Sequence, residues 1–297
     1  MPDLTRQDVE LWIKEIATGD FHYTKVLDGK VDKNAYNKLR KIMHDIVLAG
    51  GVCEPVGKHD GYYRPVQELP DPVDWQSAEA NQDFPVTLPF DLRKYVWIYP
   101  NSVVVVAGSK DAGKTGFLYR TAALNINRHY QVILISNMEG GKEQMKDRFA
   151  ACDIEIPNPA PFLTFQASEN FHDFIKYPDT LYVIDYIDVP EDAEFYKIAG
   201  LITKIRLRLN NSVAVIGLQK PRGRDIAFGG EQTLKDAALY LAMDRTGKRS
   251  GKIKIISAKK PADKTLIPRN MAWRFGYDGE GTIFTDIEQD YGDEGDL

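Results

Sequence analysis

Val103-Val104-Val105-Val106-Ala107 is a run of apolar residues that ends directly at Gly108-Ser109-Lys110-Asp111-Ala112-Gly113-Lys114-Thr115, a GxxxxGKT loop. The β-branched run suits a buried parallel strand. Gly108 and Gly113 let the following backbone wrap so that its N–H groups point at phosphate oxygens. Lys114 then reaches the β- and γ-phosphates, and Thr115 offers a hydroxyl to Mg²⁺. Gly116 to Leu124 can form a helix whose positive end faces the anion. Strand, loop and helix therefore come in the order that a nucleoside-triphosphate site needs, with Gly108 through Gly116 as the cradle.

Composition narrows the setting. With 297 residues, 43% hydrophobic and 27% charged, the chain can bury a sizeable core in one large domain, or in a medium one and a small one. Its net charge of -5 provides no global basic field, so any nucleic-acid surface has to be local. Cys53 and Cys152 are the two cysteines, without metal-ligand spacing, and read as buried thiols in a reducing compartment. No apolar stretch reaches the length of a membrane span, and no secretory leader pattern opens the chain. A soluble, cytoplasmic protein is expected.

Residues 1–66 read as a compact module. Thr5 can cap a helix carrying Val9, Trp12, Ile13 and Ile16, and Asn34–Leu48 puts Tyr36, Leu39, Ile42, Met43, Ile46 and Val47 on one face. Val52–Val56 and Gly61–Val66 then read as a hairpin. Helices followed by a hairpin resemble a winged-helix domain. That resemblance makes Asn34–Leu48 a recognition helix, on or before which Lys30, Lys33, Lys38, Arg40 and Lys41 cluster. Double-stranded DNA and a protein partner both remain open for this module.

Residues 67–91, with Pro70, Pro72, Pro85 and Pro89, read as a linker. From Leu92, in a domain expected over 92–284, the apolar runs Val103–Ala107, Val132–Ser136, Leu181–Asp185, Val213–Leu218 and Lys252–Ser257 alternate with helical patterns. The spacing predicts an α/β fold with a mostly parallel sheet flanked by helices. Residues 285–297 read as a disordered acidic tail, since six acids and no base fall between Asp286 and Leu297.

Three further strand ends carry chemistry. Glu139 follows the strand Gln131–Ser136 closely enough to act as general base toward a water. Asp185 ends an apolar strand, as a Mg²⁺-holding carboxylate does, with Asp188 as its rival. Gln219 ends a third strand, where an amide can sense a γ-phosphate; behind it, Lys220, Arg222 and Arg224 lie in a glycine-containing loop suited to phosphate backbones.

This order resembles the RecA-like motor domain of DnaB-type replicative helicases. The likeness runs from about Leu92 to Phe275 and rests on Glu139, Glu143-Gln144 and Arg148 at the family's spacing. Asp185-Tyr186, Leu218-Gln219 and the segment Leu234–Ala238 also match. It implies ATP and Mg²⁺ as ligands, single-stranded DNA as partner and a homo-oligomer, ring or filament. The family's late strand ends Ala-Lys-Asn-Arg; here Ala258-Lys259-Lys260-Pro261 keeps the lysine and replaces the arginine. Recombinases of the RecA type use a lysine pair in the comparable region, so Lys259 and Lys260 are expected to act on a neighbour's γ-phosphate. The family's helical N-terminal domain is replaced by the winged-helix-like module. Helicase or translocase and recombinase or annealing functions stand level. The alternative is a nucleotide-switched regulator or loader with a protein partner on its winged helix. A small-molecule kinase lacks an acceptor-binding motif.

Overall fold

A computed structural model describes residues 4–17, 19–27, 33–57, 60–67, 71–78, 82–138, 140–187, 197–278 and 281–291. The chain divides into two units, Met1–Ala78 and Glu79–Leu297.

In the first unit, helix α1 (Arg6–Glu15) starts at a capping box. The Asp8 amide donates to Thr5 Oγ1 at 3.3 Å, and the Thr5 amide donates to Asp8 Oδ2 at 2.9 Å. Strand β1 (Phe21–His22) precedes α2 (Lys33–Leu48), of whose expected apolar face Leu39, Met43 and Ile46 are fully buried. Strands β2 (Cys53–Pro55) and β3 (Tyr62–Pro65) form the expected hairpin, and β1 joins its β3 edge antiparallel. Cys53 lies inside this small core, where burial pushes its thiol up to about 11; Cys152 is likewise buried.

The second unit is built, among the described residues, on nine strands in the order β12-β11-β10-β9-β4-β8-β7-β5-β6. Central β4 (Ser102–Gly108) is flanked by β8 (Val213–Gln219) and β9 (Ala237–Arg245); β7 (Thr180–Ile187), β5 (Gln131–Ser136) and β6 (Leu163–Gln166) continue one side in parallel. Val103 to Ala107 are wholly buried and divide by pleat between two cores, Val104 and Val106 facing one and Val103, Val105 and Ala107 the other. Helix α3 (Lys114–Leu124) contributes Phe117 and Leu118 to the first core, and α5 (Lys197–Arg208) contributes Ile202 and Ile205 to the second. Helix α4 (Gly141–Ala150) follows β5. The mostly parallel, helix-flanked sheet is as expected. Among the described residues, no helix is long and apolar enough to cross a membrane.

Three expectations are corrected. Lys252–Ser257 belongs to β10 (Ser250–Ala258), which runs antiparallel to β9: the four residues Thr246–Arg249 between them are too few for a crossover. Strands β11 (Ala272–Asp278) and β12 (Ile283–Asp290) continue this antiparallel edge. The acidic segment from Asp286 to Asp290 is therefore a paired strand, with the nearly buried Asp290 carboxylate held by Lys252 Nζ at 2.8 Å and Arg274 Nε at 3.2 Å. Residues 292–297 lie outside the described residues. The linker expected over 67–91 is shorter. Phe84, Val86, Leu88, Phe90 and Leu92 are buried in the first core of the second unit, and Asp83 pairs with Arg93. Alternation interrupted by Pro85 and Pro89 concealed this apolar series.

Candidate functional site

The site lies where β4 meets α3. The turn needs left-handed backbone at Asp111 (φ 60°) and Gly113 (φ 89°), and Gly113 caps α3. A Cβ on Gly108 would come within 3.0 Å of Lys114 Cβ, so glycine keeps the loop closed over the lysine stem. Neighbouring strands fix the loop's base: the Lys220 amide donates to Gly108 O at 3.1 Å, and the Ser109 amide donates to Met243 O at 3.1 Å.

Strand register brings the other groups together. Gly108 is level with Gln219, and Ser136 with Asp185, across parallel strands whose carboxyl ends all point the same way. The nearly buried Lys114 ammonium donates to Gln219 Oε1 at 3.1 Å and lies 4.1 Å from the Tyr186 ring centroid. Thr115 Oγ1 donates to Asp185 Oδ1 at 3.1 Å, and that carboxylate is nearly buried. A hydroxyl and a carboxylate side by side are hard oxygen donors of the kind Mg²⁺ takes. Lys114, Thr115, Asp185 and Gln219 thus form one group. Glu139 and Asp188 lie outside the described residues. Arg148, on α4, holds its guanidinium 5.6 Å from the Tyr119 ring.

Residues at the loop's tip carried no signal in the sequence. Arg245 Nη1 lies 3.6 Å from Asp111 Oδ2, with its guanidinium oriented by the carbonyls of Gly247 and Lys248. The Tyr277 hydroxyl donates to Asp111 O at 3.3 Å. Their addresses depend on β9 and β11, neither of which is among the strands read from the sequence. Ser109, Lys110, Asp111, Gln219, Arg222 and Arg245 line a cavity of about 370 Å³ here. The turn into β12 also closes on α3. A Cβ on Gly116 would run into the carbonyl oxygen of Gly281, and Arg120 Nη1 donates to Thr282 O at 3.4 Å. Gly116→Ala is expected to cost about 1–3 kcal/mol by overpacking, read as a lower midpoint in urea unfolding with unchanged slope.

The cationic residues separate into four settings. Lys220, expected on DNA, is buried, its Nζ donating to Asp244 Oδ2 and Arg224 O, both at 2.6 Å. It holds the loop in place from within the protein. Arg222 and Arg224 are exposed on that loop. Lys259 and Lys260 are exposed just past the end of β10, where Ala258 is level with Leu239 and so with Val104. That is roughly 15 Å along the strands from Gly108. They sit at the opposite end of the sheet from their own chain's loop. On α2, Lys38, Arg40 and Lys41 are exposed, with Arg40 3.5 Å from Asp60.

No protein-family model and no curated protein matches the chain. Solved structures do. A DnaB-like replicative helicase, described with its interactions with primase, superposes with a TM-score of 0.51 at 15% identity over 72% of this chain, which spans 66% of that chain's length. The RadB recombinase (TM-score 0.48, 15% identity, 65% of this chain and 93% of that one) and a further ATPase domain (0.48, 15%, 64% and 86%) also match. At such identity the likeness is one of fold. The chain has a RecA-like fold resembling the motor domain of a DnaB-type helicase.

Proposed function

We propose that the chain is an oligomeric ATPase that couples ATP hydrolysis to single-stranded DNA, as a helicase or translocase or as a recombinase or annealing protein. The observation that carries this reading is the convergence of Lys114, Thr115, Asp185 and Gln219 at the carboxyl ends of adjacent parallel strands. The loop Gly108–Gly116 receives the phosphates on its backbone N–H groups. Lys114 neutralises the β- and γ-phosphates, leaving Gln219 for the γ-phosphate it senses. Thr115 and Asp185 would hold Mg²⁺, which would supply charge neutralisation to the phosphates. Glu139 accepts the proton of the attacking water. Arg245 and Tyr277, which meet at Asp111, flank the nucleotide beyond the phosphates. Lys259 and Lys260 come from the adjacent subunit, since their own chain's site is out of reach.

Single-stranded DNA lies along Arg222 and Arg224, gripped by its backbone. The first unit presents Lys38, Arg40 and Lys41 to double-stranded DNA or to a protein. A nucleotide-switched loader is the second reading. It is favoured by the withdrawal of Lys220 into the protein, which leaves fewer cations for DNA.

The test is the anisotropy of a labelled single-stranded oligonucleotide titrated with protein at several salt concentrations. The double substitution Arg222→Ala, Arg224→Ala is expected to weaken binding and to reduce the log–log salt slope by about 1.4, at roughly 0.7 per phosphate contact. Unchanged affinity and slope would remove the loop from the DNA site. Absence of any binding by the unsubstituted protein would favour the loader.

A further inference from the structure

Lys220 is the residue immediately after the sensing amide Gln219, and Asp244 is the residue immediately before Arg245. Their side chains meet at 2.6 Å, with the lysine side chain wholly buried and that of the aspartate mostly so. This ion pair completes a ring around the base of the phosphate loop. The Lys220 amide donates to Gly108 O, and the Ser109 amide donates to Met243 O, the residue preceding Asp244. Strands β8, β4 and β9 are thereby joined at one level by two backbone links and one side-chain link.

The same ammonium also anchors the loop that follows. Its second bond goes to Arg224 O, and Asp244 Oδ1 accepts from the Gly223 amide at 3.5 Å. Both glycine and arginine backbones at the exposed cations are therefore held by this one pair. Farther along, Asp225 pairs with Lys254 at 3.0 Å, and the Ala227 amide donates to the Tyr240 hydroxyl at 2.9 Å. The Phe228 amide then closes the loop on Gln219 O at 3.1 Å. These later ties fasten the far half of the loop. The half that carries Arg222 and Arg224 is held through Lys220 and Asp244.

We propose that Lys220 and Asp244 are a positioning pair that makes the placement of the Arg222–Arg224 loop depend on whether Gln219 meets a γ-phosphate. Neither residue touches the nucleotide. In this structure Gln219 is occupied by Lys114. When Lys114 turns to the phosphates, Gln219 turns with its ligand, and the adjoining Lys220 carries that change to Gly223 and Arg224. A buried charge pair suits this role, because two short bonds in a low-dielectric setting permit few arrangements. The inference rests on the nucleotide-binding part of the proposed function and is independent of what the loop grips.

The experiment is hydrogen–deuterium exchange of the full chain over peptides covering residues 220–230. ADP is compared with a non-hydrolysable ATP analogue, both at concentrations shown by fluorescent-nucleotide displacement to saturate. The unsubstituted protein is expected to exchange several-fold more slowly in this loop with the ATP analogue than with ADP. The pair Lys220→Met and Asp244→Leu replaces the ion pair by apolar groups of similar size, an exchange that leaves folding intact in comparable cases. It is expected to bind both nucleotides and to give the same loop exchange with each. Asp244→Asn provides a second comparison, with the same loss expected. A nucleotide-dependent difference that persists in the folded double variant overturns the proposal, as does its absence in the unsubstituted protein. Failure to bind either nucleotide would overturn the proposed function itself, and the displacement measurement identifies that outcome separately. A loop that responds to the γ-phosphate in a chain that binds no DNA supports the positioning pair and rejects DNA as the loop's partner.

Discussion

Replacing Lys114 by alanine is expected to lower kcat/KM for ATP hydrolysis by about a hundredfold or more, the scale of losing one preorganised charge stabiliser from a reacting oxyanion. The physical basis is its setting. The ammonium is nearly buried and lies between the Gln219 amide oxygen and the face of Tyr186. Arginine is not expected to rescue the loss. A broad planar guanidinium does not reproduce the compact point charge of an ammonium. Phosphate release under saturating ATP measures the effect, and a melting curve shows whether the fold persists. Full turnover by Lys114→Ala would mean that the loop does not act on phosphates.

The second large effect is expected at Glu139. Glu139→Gln should lower kcat by about 10²–10⁴, the contribution of a general base, while leaving the KM for ATP close to that of the parent. Residue 139 itself lies outside the described residues, and its role comes from the sequence. Its neighbours add the local geometry: Met138, Gly140 and Gly141 have φ of 52°, 80° and 73°, so the chain turns sharply between β5 and α4. Ser136, three residues earlier, is level with Asp185. Single-turnover quench measurements would separate chemistry from product release. Wild-type rates in Glu139→Gln would require another base.

The parts of the fold that were legible share one property. Strands β4, β5, β7 and β8 are covered on both faces, so each writes a continuous apolar run into the sequence. Strand β10 buries alternate residues only, and the charged Lys252 and Lys254 on its other face interrupt the pattern. Strands β11 and β12 are buried on one side and joined by short turns, and left no run to read; β9 is buried on both faces and does carry an apolar run, Ala237–Met243, that the sequence reading passed over, and with these strands Arg245 and Tyr277 stayed hidden. Lys220 shows a different limit. In the sequence it is one of three cations in a loop, and only the distant Asp244, brought alongside by β9, makes it an internal anchor. Residues 84–92 were obscured by their prolines, although every second side chain enters the core. By contrast, Lys114, Thr115, Asp185 and Gln219 were legible because each stands at a strand end or opens the helix that follows one, where parallel topology gathers such residues at one edge.

The most direct test of the proposed ATPase is steady-state phosphate release from ATP and Mg²⁺ by the full chain, measured with and without single-stranded DNA and compared with Lys114→Ala. Turnover well above the Lys114→Ala level is predicted, with a further several-fold rise when DNA is added. Turnover no greater than that of Lys114→Ala, with or without DNA, would contradict it.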